Sequence, residues 1–358
     1  IAHAFAALYG PENVLTMTTD GSGPAPEGKF PDGVRNVDFA ALTRSEDDAG
    51  KQRLLTEFLR SLRSEAVFNV NSALLWNTLG TFGAALTTTV PVVGCFFCND
   101  KNQYGYWGGY PASKFYRHFD TLKAVCTDSH FLAQELEAQF AVPPAQRDKL
   151  VVLEASVDPE GIAVALPPQP TPQRRPQLFW ASRFDAQKRL DVVYEIARAL
   201  PEVDICMWGQ SVAGGVDPER ERPENIHLKP PYTDFLALPF EDCDLWLYTS
   251  EWDGVPSILL EVSMTGIPIV SSDVGGTVEV AQPDLSFPVA PFDNVPGYVD
   301  AIRKVLANPT AARAQAAALR ERLIARRSDK NYARALERVI ALPNAPHVPP
   351  MRRRAEVR

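Results

Sequence analysis

The segment Ser250-Glu-Trp-Asp-Gly-Val-Pro-Ser-Ile-Leu-Leu-Glu261 sets two carboxylates around the start of a short apolar helix. Asp253-Gly254 reads as a loop, and Pro256 suits a first helical turn, where a missing N–H is no loss. The free N–H groups and positive dipole end of such a helix can hold an anion, a diphosphate among them. Gly254, Val255, Ser257 and Ile258 would supply those backbone groups. Glu261 follows about a turn and a half further in, roughly 7 Å along the axis. That is a reasonable distance from a phosphate to a sugar hydroxyl. Leu259, Leu260 and Val262 beside it argue against a merely solvated position. Two carboxylates flanking an anion-friendly helix end fit a ligand with phosphates in the middle and hydroxyls at both ends, which is the layout of a nucleotide sugar.

The rest of the chain must position this segment. Its 358 residues are enough for two ordinary domains, and 45% hydrophobic with 22% charged residues is a folded, globular balance. The formal net charge of -8 disfavours a nucleic-acid partner, whose backbone would be repelled. No apolar run reaches the ~18 residues that span a bilayer. Cys95, Cys98, Cys126, Cys206 and Cys243 are odd in number and mostly sit in apolar segments, which reads as reduced thiols in a cytoplasmic protein. Cys95-Phe-Phe-Cys98 has half a zinc spacing with no second half, so no metal is expected there. A chain that begins at Ile1 reads as a fragment, a processed chain or an excised piece of a longer polypeptide.

Strand-like and helical patterns alternate along both halves. In the first, Ala2 to Leu8 reads as helix, Val14 to Thr19 as strand and Lys51 to Arg63 as an amphipathic helix. Ala66 to Val70, Val90 to Phe97, Leu122 to Cys126 and Leu150 to Leu153 read as buried strands, and Asp128 and Ser129 cap a helix from Phe131 to Phe140. The Pro-, Gln- and Arg-rich residues 167–177 read as a linker between a first domain, 1–166, and a second, 178–342, with 343–358 as a tail. In the second domain Leu178 to Ala181, Ile205 to Trp208, Asn225 to Leu228, Leu245 to Tyr248 and Ile267 to Val270 are strands. Helices follow from Leu190, after Pro256 and from Tyr298 onward. Such alternation predicts two doubly wound α/β domains, with ligands at the carboxyl ends of the strands in a cleft between them.

The second half resembles the retaining glycosyltransferases of the GT-B fold, in particular the large family 4 (group 1). Ala181-Ser-Arg-Phe-Asp-Ala-Gln-Lys188-Arg-Leu-Asp191 is similar to the family's Gly-Arg-Leu…Lys-Gly-x-Asp loop. Met207-Trp-Gly209 resembles its strand ending in Gly, and Asp253 to Glu261 its Glu-x7-Glu motif with Asp in the first acidic place. Gly266-Ile-Pro-Ile-Val270 and Gly275-Gly276-Thr-Val-Glu279 are similar to the elements that follow. The first half matches more loosely, through Thr127-Asp-Ser129 and Leu153-Glu-Ala-Ser-Val-Asp158. Two departures stand out. The family's opening strand and Gly-rich loop do not precede the first helix, and Phe97 occupies the place where many relatives carry His.

The resemblance implies two Rossmann-like domains facing across a cleft and a metal-independent hexosyl transfer from a nucleotide-diphosphate sugar to a carbohydrate or glycolipid acceptor. It further implies bacterial polysaccharide or glycolipid synthesis at the cytoplasmic face of a membrane. Arg183 and Lys188 would clamp the diphosphate, as a bidentate fork and a point charge, and stabilise the charge that builds on the leaving group. Asp253 would bind donor-sugar hydroxyls and Glu261 the ribose diol. Gly275 and Gly276 would let the backbone pass close to the donor, and Asp185 and Glu279 would stand behind.

Each assignment has a plainer counterpart: solvated loop cations, a turn-forming Asp-Gly, an exposed helical Glu and a simple glycine turn. On the acceptor side the candidates are Asn99, Asp100, His118 and His130, the histidines reading more readily as structural. Asp242-Cys-Asp244 resembles a metal motif of the other major glycosyltransferase fold, but it precedes a strand and reads as structural. The cationic Lys51–Arg63 helix could touch a membrane surface, yet packing within the domain is the stronger reading. A nucleotide-sugar-binding or scaffolding module that has lost catalysis, or a GT-B epimerase or phosphorylase, are the rival functions. A dinucleotide dehydrogenase is disfavoured because no Gly-x-Gly-x-x-Gly follows a strand.

Overall fold

The computed structural model describes residues 1–21, 29–102, 104–168, 174–212 and 214–344. The chain divides into two compact units: unit 1 comprises Ile1–Glu154 together with Asp329–Arg358, and unit 2 comprises Ala155–Ser328.

Unit 1 begins with α1 (Ala2–Tyr9) and a parallel pair, β1 (Leu15–Thr18) with β2 (Arg35–Asp38). Then come α2 (Phe39–Leu42), α3 (Asp48–Leu62), β3 (Val67–Val70), α4 (Ala73–Thr87) and β4 (Val92–Phe96). A small antiparallel hairpin, β5 (Asp100–Lys101) with β6 (Trp107–Gly108), leads into α5 (Gly109–His118). β7 (Ala124–Thr127), α6 (His130–Gln139) and β8 (Leu150–Val152) follow. The main sheet is parallel in the order β3-β4-β7-β8. Every residue of β4 and β7 is buried, the pattern required of strands covered on both faces. Ser129 caps α6 as expected, its hydroxyl accepting from the Leu132 N–H at 3.2 Å.

Besides the short α2, two longer helices of unit 1 escaped the sequence reading. α4 is largely apolar (Ala-Leu-Leu-Trp…Ala-Ala-Leu), so it shows little 3.6-residue contrast. It starts at Ser72, whose hydroxyl accepts from the Leu75 N–H at 3.1 Å. α5 hides behind the glycines and aromatics of the hairpin. The amphipathic α3 turns Leu55 and Leu59 into the core beside α4, which supports the packed reading. Among the described residues, no helix is long and apolar enough to cross a membrane.

Unit 2 carries β9 (Gln177–Ala181), α7 (Leu190–Ala199), β10 (Asp204–Trp208), β11 (Ile226–Lys229) and β12 (Leu245–Tyr248). α8 (Ser257–Thr265), β13 (Ile269–Ser272), β14 (Phe287–Val289), α9 (Val295–Ala307) and α10 (Pro309–Arg326) complete it. Its six-stranded sheet is parallel throughout, ordered β11-β10-β9-β12-β13-β14. The order reverses between β9 and β12, and the loops after these two strands flank the crevice where doubly wound sheets bind ligands.

The unit boundaries differ from those read in the sequence. The chain enters unit 2 at Ala155, because Ala155, Ile162 and Ala165 pack on that unit's core and the Ala165 N–H donates to the Thr265 carbonyl at 2.8 Å. The last helix, α11 (Asp329–Ala341), belongs to unit 1, because it buries Leu336 and Val339 against Val93, Cys95 and Val151. A helix covering a sheet formed nearly two hundred residues earlier leaves no local trace. Of the expected linker, residues 169–173 lie outside the described residues, as do 345–358 of the expected tail.

Candidate functional site

The loop after β9 opens with Ser182 and Arg183 and closes in a 3-10 turn, Ala186–Lys188. Asp185 caps this turn by accepting from the Lys188 N–H at 3.2 Å. Gln187 then stitches the loop to the one after β12. Its Nε2 donates to the Trp252 carbonyl at 2.7 Å, and its own carbonyl accepts from the Glu251 N–H at 2.8 Å. Beneath them the Trp180 indole donates to the Thr249 hydroxyl at 3.0 Å, which donates to the Lys188 carbonyl at 2.8 Å.

These bonds bring Lys188 and Asp253 together. The Lys188 ammonium is buried and lies 2.6 Å from Asp253 Oδ2 and 3.1 Å from the Tyr248 hydroxyl. Tyr248, the last residue of β12, also donates its hydroxyl proton to Asp253 Oδ2. A cation, a phenol and a carboxylate thus share one corner, each partnered by the other two. A low-dielectric corner magnifies such interactions and makes any unpaired member costly.

Gly275 completes the corner. Its φ is +54°, and a Cβ there would lie 1.9 Å from the Asp253 carbonyl oxygen. Only glycine lets these backbones touch, and the Gly276 N–H donates to the same carbonyl at 3.4 Å. The close passage that Gly275 and Gly276 make is thus with the backbone of the Asp253 loop.

The N-terminus of α8 has no side-chain cap, since Pro256 stands at the cap position rather than in the first turn. Ser257 is exposed there and Ile258 half-buried, while the Gly254 N–H is already taken by Asp253 Oδ1 at 2.9 Å. Gly266, at φ 69°, ends the helix as expected. Glu261 is exposed, against the expectation drawn from its apolar neighbours, because Leu259, Leu260 and Val262 face inward and leave Glu261 on the outer stripe. Protein packed about its carboxyl still raises its pKa by desolvation. Tyr232, in the segment after β11, has its pKa raised by burial and next by the Glu261 charge. Arg183 is exposed and rests on Asp185 and Gln187, each at 3.2 Å.

Tyr248, Gln187, Thr249 and Tyr232 are members of this neighbourhood that the sequence reading did not single out. Tyr248 carried a usable signal, as the last residue of an apolar strand five positions before Asp253. Asp244 is structural as read, held by Arg174 at 2.7 Å and by the Gln177 N–H at 2.7 Å.

In unit 1 the acceptor candidates scatter. His118 is buried at the end of α5, stacked on Trp76 at 5.8 Å, and burial lowers its pKa to about 4. It is a core residue. Asn99 is buried and donates to Glu135 at 3.0 Å, which is a structural tie. His130 opens α6 and faces Glu154 at 3.7 Å. Asp100 is exposed in the hairpin. Phe97 packs with the apolar cluster of Val93 and Cys95.

This geometry now has comparisons to set beside it. Residues 166–326 match the sequence family glycosyl transferases group 1. The matched stretch coincides with nearly all of unit 2. A glycogen synthase from Thermus thermophilus is 28% identical over 116 residues, covering 30% of this chain and 26% of that protein. The match thus spans about a quarter of the length of the curated relatives.

Among solved structures, Anabaena HepE in complex with UDP and glucose aligns over 94% of both chains at TM-score 0.71 and 14% identity. Sucrose-phosphate synthase from Thermosynechococcus elongatus aligns over 94% of this chain and 90% of its own at TM-score 0.70 and 14% identity. The lipopolysaccharide outer core galactosyltransferase WaaB aligns at TM-score 0.65 and 15% identity over 89% and 87%. The fold is GT-B.

Proposed function

We propose that this chain is a retaining glycosyltransferase that moves a hexosyl group from a nucleotide-diphosphate sugar to an acceptor hydroxyl without a metal ion. The observation that carries the reading is the meeting of Lys188 and Asp253 at the reversal of strand order, beside the uncapped start of α8. The group 1 family match over the same residues supports it, as does a structural neighbour holding UDP and glucose. Lys188, Arg183 and the α8 N–H groups would face the diphosphate and stabilise the charge growing on the leaving oxygen more than the ground state. Glu261 would take the ribose diol.

Asp253 would hold sugar hydroxyls while fixing Lys188 in place. The bond from the sugar C1 to the leaving phosphate oxygen breaks, and a bond from C1 to the acceptor oxygen forms on the same face. The acceptor proton passes to the departing diphosphate. Bacterial polysaccharide or glycolipid synthesis on the cytoplasmic side of a membrane is the setting we assign.

Calorimetry of UDP and GDP tests the donor site, with Glu261→Ala as the control. Undiminished binding in that variant removes the ribose assignment. Donor hydrolysis that survives EDTA supports metal-free chemistry, while binding without any turnover would favour a nucleotide-sugar-binding module.

A further inference from the structure

The connection from β4 to α5 is unusually long and unusually aromatic. It runs over residues 97–108, where strand-to-helix loops in such folds commonly take about 2–6 residues. It leaves from the carboxyl end of a central parallel strand, which is the ligand-binding edge of a doubly wound sheet. It builds the hairpin β5–β6 and holds Tyr104, Tyr106 and Trp107 in water, exposed by 73%, 71% and 50%.

This display is ordered. Asn102 Oδ1 accepts from the Tyr104 N–H at 2.9 Å and the Tyr106 N–H at 3.1 Å, and the Asn102 N–H donates to the Tyr106 carbonyl at 2.9 Å. Gly105, at φ +79°, supplies the left-handed residue the turn needs, and its N–H donates to the Asn102 carbonyl at 2.9 Å. The Lys101 ammonium sits 5.1 Å from the centre of the Trp107 ring. Three large rings held outward on a hydrogen-bonded turn contribute nothing to a core, and ordered apolar surface of this kind marks a binding site.

We infer that this hairpin is a stacking platform for a neutral oligosaccharide, the acceptor side of the glycosyl transfer proposed above, on which the inference rests. Tyr and Trp join an apolar face to a polar handle, which suits the C–H face and hydroxyl rim of a pyranose ring. Asp100 and Lys101 cancel within the hairpin, so it carries no net charge to recruit an anionic headgroup. The exposed tip carries no Leu, Ile or Phe to insert among acyl chains. Both facts favour carbohydrate over a lipid surface.

The test uses the full chain and three probes, maltohexaose, cellohexaose and N-acetylchitohexaose, in calorimetry and saturation-transfer difference spectroscopy. At least one should bind, Trp107→Ala and the double variant Tyr104→Ala/Tyr106→Ala should each weaken it at least tenfold, and Trp107→Phe should recover part of the loss. UDP affinity should be unchanged in all of them. Absence of binding by every probe overturns the platform, as does binding that survives Trp107→Ala. Trp107-dependent association with phosphatidylglycerol vesicles would overturn it in favour of a membrane surface. Oligosaccharide binding without UDP binding would leave the platform standing and remove the donor reading.

Discussion

The two loops that meet after β9 and β12 and the long connection after β4 are built on opposite plans. The unit 2 loops are stitched together by Gln187, Thr249 and the Lys188–Asp253–Tyr248 corner, with a glycine shaved to let Asp253 pass. The unit 1 connection carries its own hairpin and turns its largest side chains outward. The first plan suits a ligand group whose geometry never varies, such as a diphosphate. The second suits a partner met through exposed rings, such as the oligosaccharide inferred above. The contrast also follows the family match, which covers residues 166–326 and stops short of the hairpin.

The strongest way to break this contrast is Lys188→Met. It leaves the half-buried Asp253 carboxylate without its cation, and should destabilise unit 2 by about 3 kcal/mol. UDP affinity should fall at least tenfold. Urea unfolding and calorimetry read the two effects, and an unchanged melt would mean the loops are held by something else.

A comparable effect in unit 1 comes from acid. Folding lowers the His118 pKa from 6.5 to about 4. The unfolded chain therefore takes up a proton first as pH falls, and stability present above pH 6.5 drains away down to about pH 4, by about 3 kcal/mol in all. Among the described residues His118 Nε2 has no hydrogen-bond partner. His118→Phe should therefore keep the stack on Trp76 and abolish this loss, seen as a flat stability profile across that window.

Gly275→Ala should cost about 2 kcal/mol through positive φ and collision with the Asp253 carbonyl, and should weaken UDP binding with it. If it leaves both untouched, the shaved glycine is dispensable. The smallest change in stability belongs to Glu261→Gln. Because burial raises the Glu261 pKa, its ionisation as pH climbs past 4.5 removes stability. The glutamine should be as stable at pH 7 or slightly more so, while UDP affinity falls about tenfold. A drop in melting temperature would reveal a structural carboxylate instead.

The corner around Asp253 stood out in the sequence because its residues are close in the chain. Asp253, Glu261 and the helix between them lie within nine residues, and the strand before them is uniformly apolar. Tyr248 was missed because a tyrosine closing an apolar strand looks like core, and it is core apart from its hydroxyl. α4 was missed because its exposed stripe, Asn77, Gly80, Thr81, Ala84 and Ala85, carries no charge, so the contrast with its buried face is weak. α11 was given to the wrong unit because nothing in a helix's own sequence names the sheet it covers. Of the acceptor-side candidates, His118 and Asn99 serve packing, and no motif singled out the exposed rings of the hairpin.

The return of α11 to unit 1 has a consequence for how this polypeptide is made. A ribosome delivers all of unit 2 before it delivers Leu336 and Val339. Until those residues emerge, Val93, Cys95 and Val151 lack the cover they have in the finished chain. Unit 2 can close on itself during synthesis, whereas unit 1 must wait for α11 to be made. A stop codon that trims only α11 would therefore spare the unit encoded beside it and strand the one encoded first.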